Sequence, residues 1–202
     1  GKPVLYYLTE RGQPALERGI IGHDKSLAKV LEQARAAVNY PPKGLHSLII
    51  GPSGTGKSML ARYMYEFGLQ CGVFQKNDAF VSFNCADYAG NPQLLLAQLF
   101  GAKEGSYTGQ SGHKEGLVAS ANGGLLFLDE VHRLPPEGQE MLFYLMDYGK
   151  YRPLGEAVAE RSVELLLVCA TTKDPEGSLL ATFIRRMPII ITLPSLAQRS
   201  YE

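Results

Sequence analysis

The 202-residue sequence has the size of one ordinary domain, with room for a fragment of a second. Its twenty basic and twenty acidic residues cancel, which argues against a protein that grips nucleic acid through its overall field, although a local basic patch is compatible with this balance. The apolar share of 45% is typical of a soluble globular protein. No apolar run approaches the roughly 20 residues that a membrane-spanning helix needs. The first residues lack a signal-peptide layout. We therefore expect a cytoplasmic protein without membrane contact.

The cysteines and histidines show no spacing typical of a metal site. Cys85 and Cys169 lie in apolar, strand-like runs, which predicts buried, reduced thiols. The third cysteine, Cys71, has no partner at a metal-ligand distance along the chain. The sequence therefore favours structural thiols over a zinc site.

Short apolar runs alternate with helical stretches, and this alternation predicts an α/β fold with a central parallel sheet flanked by helices. In chain order we predict helix 24–40, strand 45–50, helix 57–69, strand 79–84, helix 92–100, strand 125–128, helix 137–148, strand 163–169 and strand 189–193. These five strands would form one parallel five-stranded sheet. Between 101 and 113 the composition turns to Gly, Ser, Thr, Lys and Gln without periodicity, and so long a loop in a compact domain is usually functional.

A complete G-x-x-x-x-G-K-[ST] motif stands between a predicted strand and a predicted helix. It consists of Gly51, Pro52, Ser53, Gly54, Thr55, Gly56, Lys57 and Ser58. Gly54 and Gly56 allow consecutive N–H groups to point at phosphate oxygens, and the positive end of the following helix adds to this attraction. Lys57 is expected to reach the β- and γ-phosphates, and the Ser58 hydroxyl to bind Mg²⁺. The motif, with Met59 beside it, predicts a P-loop NTPase that binds ATP and Mg²⁺.

Two acids, Asp129 and Glu130, follow the apolar run 125–128. Ligands of parallel sheets bind at the carboxyl ends of the strands. Asp129 is therefore expected to hold Mg²⁺ through water, and Glu130 to polarise the water that attacks the γ-phosphate. We expect the nearby His132 to be structural rather than catalytic. A P-loop alone suits kinases, switches, transporters and mechanical ATPases, and the acid pair narrows this set towards ATP hydrolysis.

A glycine-rich segment precedes the strand that ends in the acid pair, and it reads Gly105-Ser106-Tyr107-Thr108-Gly109-Gln110. In pattern and position it resembles the G-A-F-T-G-A loop of the AAA+ domain of bacterial sigma-54-dependent transcriptional activators. The resemblance extends over about residues 20 to 199. The segments 33–45, 134–142, 170–175 and 183–188 resemble the LevR-type branch, whose members activate sugar-uptake operons under the control of phosphotransferase-system domains.

The resemblance implies roles for four further residues. Asn84 matches the asparagine that holds the catalytic glutamate back until the partner is engaged, a task suited to an amide that can hydrogen-bond a carboxylate without neutralising it. Thr172 stands where most relatives carry a sensor asparagine, and its hydroxyl can contact the γ-phosphate or its water. Arg185 and Arg186 match the arginine-finger region, which reaches the γ-phosphate of a neighbouring subunit. The spacing to 193–196 favours Arg185.

The resemblance also implies an assembly and partners. Subunits would form a ring, with a hexamer as the expected size, and loop 101–113 would contact sigma-54 RNA polymerase through Thr108. Ile20 and Ile21 would line the adenine pocket of an AAA+ core at 20–194. Residues 1–19 are interpreted as a linker and the remnant of a DNA-binding winged-helix domain, and 195–202 as the start of a truncated helical lid. On this interpretation DNA binds elsewhere, and the isolated segment hydrolyses little ATP.

Two departures from the family pattern support a second hypothesis. Gln110 replaces the final alanine of the loop with a larger polar side chain, and Thr172 replaces the sensor asparagine. Both fit a regulatory module that binds ATP without engaging sigma-54. A free-standing P-loop kinase fits less well, because the sequence shows neither an acceptor pocket nor a lid.

Overall fold

A five-stranded parallel sheet forms the centre of the computed structural model, which describes residues 25–106, 112 and 114–199. The spatial order of its strands is β2-β3-β6-β1-β7, and every neighbouring pair is parallel. A separate antiparallel pair joins β4 to β5. The strands are β1 (Ser47–Ile50), β2 (Phe80–Asn84), β3 (Leu125–Asp129), β4 (Lys150–Tyr151), β5 (Arg161–Ser162), β6 (Leu166–Thr171) and β7 (Ile189–Thr192).

Helices cover both faces of the sheet. They are α1 (Ala28–Asn39), α2 (Lys57–Cys71), α3 (Pro92–Phe100), α4 (Leu117–Ser120), α5 (Pro136–Tyr148), α6 (Pro175–Ser178) and α7 (Ala181–Ile184), with short 3-10 helices at Cys85–Tyr88, Val131–Arg133 and Leu196–Gln198. Local sequence explains the bounds of α3: Asn91 Oδ1 accepts the N–H of Leu94 at 3.1 Å, and Gly101 ends the helix at φ +81°. In the described part of the chain, every helix is too short or too polar to cross a bilayer.

The core consists of two apolar clusters, one on each face of the sheet. Successive side chains of β3 alternate between them: Leu126 and Leu128 pack on one face, and Leu125 and Phe127 on the other. Because both faces are covered, the strand is a continuous apolar run. Cys85 and Cys169 are free and buried, as predicted, and burial raises the pKa of the Cys85 thiol to about 12.

The five predicted strands of the sheet and the four predicted helices are confirmed, with one error of position. The strand predicted at 163–169 is Leu166–Thr171. The preceding residues leave the sheet: Arg161 and Ser162 pair with β4, and the N–H of Val163 donates to Gly149 O at 2.8 Å. The prediction of a start at 163 is wrong because the Val163 side chain is also buried, at 7% exposure, and extends the apolar run. The short helices α4, α6 and α7 were not predicted.

Candidate nucleotide-binding site

Three loops leave the carboxyl edge of the sheet side by side. They follow β1, β3 and β6, which are neighbours in the sheet. The register places Ile50 opposite Thr171 and Leu128 opposite Cys169. The structure therefore brings together the P-loop at 51–58, the acid pair that follows Leu128, and Thr172.

The P-loop has a backbone shape suited to an anion. Gly54 and Gly56 have φ values of +77° and +89°, a region that residues with a side chain rarely adopt. The Thr55 hydroxyl donates to Pro52 O at 2.8 Å and fixes the turn between them. Helix α2 begins at Lys57, so its unpaired first-turn N–H groups lie at the end of the loop. This arrangement supplies backbone donors and a helix N-terminus to a phosphate.

Lys57 is held inside the loop rather than in solvent. Its side chain is buried, and Nζ donates to Gly51 O at 2.9 Å and to Pro52 O at 3.0 Å. An ammonium group has three donors, so one remains for a phosphate oxygen. The loop therefore positions a cation where the phosphates would lie.

Ser58 and Asp129 provide oxygen atoms of the kind that Mg²⁺ prefers. Ser58 is exposed in the first turn of α2, and Asp129 accepts the N–H of Glu130 through Oδ1 at 2.9 Å, which leaves Oδ2 for another partner. Burial raises the pKa of Asp129, and the nearby Lys57 ammonium opposes that rise. A hydroxyl and a carboxylate, completed by phosphate oxygens and water, form a suitable donor set for Mg²⁺. The types and positions of these residues therefore fit a magnesium ion.

A mostly apolar cavity of about 180 Å³ opens beside the P-loop. Its lining residues are Leu27, Val30, Leu31, Gly54, Thr55, Gly56, Met59, Leu60, Leu193 and Arg199. Pockets for whole ligands usually measure roughly 300–1,000 Å³, so this cavity suits a flat base while the phosphates lie on the loop. Met59, which was predicted to bind the nucleotide beside the P-loop, lines this cavity, and Ile20 and Ile21, which were predicted to line the adenine pocket, lie outside the described residues.

Glu130 adopts a strained backbone conformation next to the P-loop. Its φ is +51°, and within the described ranges no other residue except glycine has a positive φ. Such a conformation costs roughly 1–2 kcal/mol, and strain of this kind is concentrated at functional sites. The carboxylate atom Oε2 accepts the Thr172 hydroxyl at 3.1 Å and lies 3.3 Å from His132 Nε2. The backbone and two side chains thus determine where the carboxylate points.

Asn84 lies beside the acid pair but makes a local contact. The register of β2 and β3 places it opposite Asp129. Its Oδ1 accepts the N–H of Ala86 at 3.0 Å and caps the following 3-10 helix. Among the hydrogen bonds of the described residues, Glu130 is bound by Thr172 and not by Asn84. The role of Asn84 as a restraint on the glutamate stays a prediction.

The two arginines after α7 have different surroundings. Arg186 donates through Nε to Asp147 Oδ2 at 2.7 Å, and its guanidinium carbon lies 4.5 Å from the centre of the Phe143 ring. Arg185 is exposed, and no described residue binds its side chain. Arg186 therefore ties the end of α7 to α5, whereas the side chain of Arg185 is open to solvent.

The base of loop 101–113 is a closed stem. Ala102 and Lys114 exchange two backbone hydrogen bonds of 2.9 Å. A Cβ atom on Gly116 would lie 2.2 Å from Gly101 N, so the two sides of the stem are in contact through their backbones. Gly105 and Ser106 belong to this described part, whereas Tyr107, Thr108, Gly109 and Gln110 lie outside the described residues.

A second set of contacts fixes the stem to the segment between β4 and β5. The Ser106 hydroxyl donates to Leu154 O at 2.9 Å, and Lys103 Nζ lies 2.6 Å from Glu156 Oε2. The N–H of Lys103 also donates to Leu154 O, at 3.0 Å. The loop therefore leaves the domain from a base with a defined orientation.

The family of this chain follows from its sequence match over most of its length. The profile described as the sigma-54 interaction domain matches residues 20–189. The chain belongs to the sigma-54 interaction domain family.

Two similar relatives support the predicted LevR-type branch. This sigma-54 interaction domain is 55% identical over 181 residues to the transcriptional regulatory protein LevR of Bacillus subtilis (strain 168), covering 90% of this chain and 19% of that protein. It is 50% identical over 186 residues to the transcriptional regulatory protein DagR of Salmonella typhimurium (strain 14028s / SGSC 2262), covering 91% and 19%.

The chain thus spans about a fifth of the length of these two relatives. Among solved structures, NtrX from Brucella abortus in complex with ATP has a TM-score of 0.72 at 23% identity, with 89% of this chain and 38% of that chain covered. This similarity shows that the sigma-54 interaction domain has the expected P-loop NTPase fold.

Several site residues of this sigma-54 interaction domain were not predicted. Leu27, Val30 and Leu31 line the cavity, but their helical spacing marks them only as core residues. Arg199 donates through Nε to Pro194 O at 3.3 Å and through Nη2 to Thr55 O. Because Thr55 is distant along the chain, the local sequence gives no signal for the second contact. The contact of His132 with Glu130 was likewise missed, although their spacing of two residues on a tight turn could have suggested it.

Proposed function

We propose that this chain is the ATP-hydrolysing module of a sigma-54-dependent transcriptional activator. The observation that carries the proposal is the meeting of the P-loop, Asp129 and Glu130 at one edge of the sheet, where the register of β1, β3 and β6 places them. Membership of the sigma-54 interaction domain family supplies the partner, and the names of LevR and DagR describe those two proteins as transcriptional regulators.

The site residues divide the work of hydrolysis. The base lies in the cavity beside Met59, and the phosphates accept hydrogen bonds from the P-loop N–H groups and from Lys57. Ser58 and Asp129 would hold Mg²⁺, which would neutralise charge on the phosphates when bound. Glu130 orients a water molecule and accepts its proton while the water oxygen attacks the γ-phosphorus and the bond to the leaving β-phosphate oxygen breaks. Thr172 links this carboxylate to β6 and can sense the γ-phosphate.

A second subunit completes the site. In this proposal Arg185 reaches the γ-phosphate held by a neighbour and stabilises the charge that develops there; its exposure after α7 supports this role. An arginine finger contributes roughly 10³–10⁵ in rate in well-studied systems. The assembled form is a ring, with a hexamer as the expected size.

The loop at 101–113 is the proposed contact with sigma-54 RNA polymerase. Its stem is clamped by the pairing of Ala102 with Lys114 and by the ion pair of Lys103 with Glu156, so movement of the domain would be transmitted to the loop tip. Tyr107 and Thr108 are the proposed contact residues at that tip. DNA is bound by a domain outside 20–194, in agreement with relatives about five times as long as the matched segment.

The test compares Arg185→Ala with Arg186→Ala in the full-length protein. We expect Arg185→Ala to bind ATP with an unchanged Kd and to lose at least 10³-fold in turnover. Arg186→Ala removes a half-exposed ion pair and should lower the free energy of unfolding by about 1 kcal/mol with a much smaller loss of turnover. Mass measurement with a slowly hydrolysed ATP analogue should show assembly in all three proteins. Unchanged turnover in Arg185→Ala would contradict the shared site.

Engagement of the polymerase needs its own measurement. With an analogue of the hydrolysis transition state bound, the wild-type protein should retain sigma-54 on an affinity column, and Thr108→Ala should not. Turnover without retention of sigma-54 in the wild-type protein would instead indicate an ATP-dependent regulatory module that lacks this partner.

A further inference from the structure

His132 faces the carboxylate of Glu130 from a buried position. Its side chain is 8% exposed, and its Nε2 atom lies 3.3 Å from Glu130 Oε2. The contact is short but poorly aligned, so Nε2 is a buried polar atom without a well-formed hydrogen bond. A buried ring nitrogen this close to a carboxylate is an unusual feature for a residue that only fills space, because an unsatisfied buried donor costs about 1–3 kcal/mol.

The other ring nitrogen indicates where the proton of His132 lies. Nδ1 is 2.9 Å from the Thr171 hydroxyl oxygen. The Thr171 hydroxyl oxygen accepts the N–H of Lys173 at 3.1 Å. Besides Nδ1, the hydroxyl proton could be donated to Lys173 O, but that oxygen is 3.5 Å away. The hydroxyl proton is therefore best donated to Nδ1, which places the ring proton on Nε2. Burial lowers the pKa of His132 and so favours this neutral ring at pH 7.

With this tautomer, two donors converge on the same atom of the glutamate. Thr172 donates to Oε2 at 3.1 Å, and the protonated Nε2 of His132 lies 3.3 Å from the same oxygen. Both donors are anchored in β6, Thr172 by following it directly and His132 through Thr171. The second oxygen, Oε1, is left to accept the proton of a water molecule. The arrangement orients the carboxylate without neutralising it.

We propose that His132 is a positioning residue for the catalytic glutamate, holding Oε2 of Glu130 towards β6 so that Oε1 faces the attacking water. This inference rests on the hydrolytic function proposed above. It replaces the prediction that His132 is merely structural. It also gives the glutamate a restraint that stays in place when the Thr172 hydroxyl turns towards a bound γ-phosphate.

Two amide substitutions separate the two ring nitrogens. The His132→Asn amide reaches the place of Nδ1 and can keep the contact with Thr171, but it is too short to reach Glu130. The His132→Gln amide reaches the place of Nε2 and can donate to Oε2. The experiment measures kcat, the Kd for ATP and the midpoint of thermal unfolding for both variants in the full-length protein, with His132→Ala as a third variant.

We expect His132→Asn to lower kcat about tenfold at an unchanged Kd, and His132→Gln to restore most of the loss. Wild-type kcat in His132→Asn would overturn the inference, as would a His132→Gln variant as slow as His132→Asn at equal thermal stability. A role limited to packing predicts kcat losses that follow the unfolding midpoint in all three variants, and that pattern also overturns it. If the wild-type protein binds ATP but shows no turnover when assembled, the proposed function itself fails instead.

Discussion

His132 lies at the carboxyl edge of the parallel sheet and His46 at its amino edge, and burial lowers the pKa of both side chains. Their contacts differ in kind. His46 Nδ1 accepts the backbone N–H of Leu167 at 3.0 Å and so completes the hydrogen bonding where β6 begins. His132 contacts a hydroxyl and a carboxylate instead. The same residue type thus satisfies the backbone at one edge and orients a reactive group at the other.

The rest of each edge follows this division. At the amino edge the backbone packs closely: a Cβ atom on Gly124 would lie 2.1 Å from Ala79 O, and Lys43 Nζ donates to Val73 O at 3.3 Å. At the carboxyl edge the P-loop is open, since a Cβ atom on Gly54 would meet nothing within 4 Å, and Glu130 is strained. Stability should therefore depend on the amino edge and turnover on the carboxyl edge.

The largest effect should come from Glu130→Gln. The amide keeps the shape of the side chain but cannot accept a proton, so turnover of the assembled protein should fall roughly 10²–10⁴-fold while the Kd for ATP stays the same. The free energy of unfolding should not fall, because the strained backbone is unchanged. Glu140→Gln, on the exposed face of α5, is the matched control and should behave as the wild type. Equal turnover in the two variants would show that another group activates the water.

Gly124→Ala tests the opposite edge. The added methyl group would overlap Ala79, so we expect the free energy of unfolding to fall by about 3 kcal/mol, while turnover per folded molecule stays unchanged. Gly177→Ala provides the control, because the new methyl group there meets nothing within 4 Å and should stabilise α6 by up to about 1 kcal/mol. Chemical denaturation measures both. A loss of turnover without a loss of stability in Gly124→Ala would refute the division between the edges.

The parts of the site that sequence could predict are those built within one segment. The P-loop and the acid pair each join a strand end to its own loop, so spacing along the chain was sufficient. The distinction between Arg185 and Arg186 depends on Asp147, which lies on a different helix and meets Arg186 only in the folded chain. The contact of His132 with Thr171 depends on β3 and β6 being neighbours, which local periodicity does not determine.

The same limit applies to the fold. Continuous apolar runs located the strands because both faces of the sheet are covered. They misplaced the start of β6 because Val163 is buried beside the sheet without belonging to it. Burial and strand pairing are separate properties, and only the first has a signature in composition.

The smallest effect is confined to acidic pH and concerns His46. Burial lowers the pKa of His46 from 6.5 to about 4 in the folded chain. Between these values the unfolded chain binds a proton that the folded chain does not, so the free energy of unfolding falls as pH falls, by about 1.4 kcal/mol per unit. At pH 5 this amounts to about 2 kcal/mol relative to pH above 6.5.

His46→Asn keeps an acceptor for Leu167 N–H but cannot titrate, so its stability should fall less between pH 7.5 and pH 5 than that of the wild type. Urea denaturation at the two pH values measures the difference, to which carboxylates contribute equally in both proteins. If the free energy of unfolding falls equally with pH in the wild type and in His46→Asn, the His46 ring is solvated. If turnover per folded molecule differs between the two proteins with pH, the amino edge also serves catalysis.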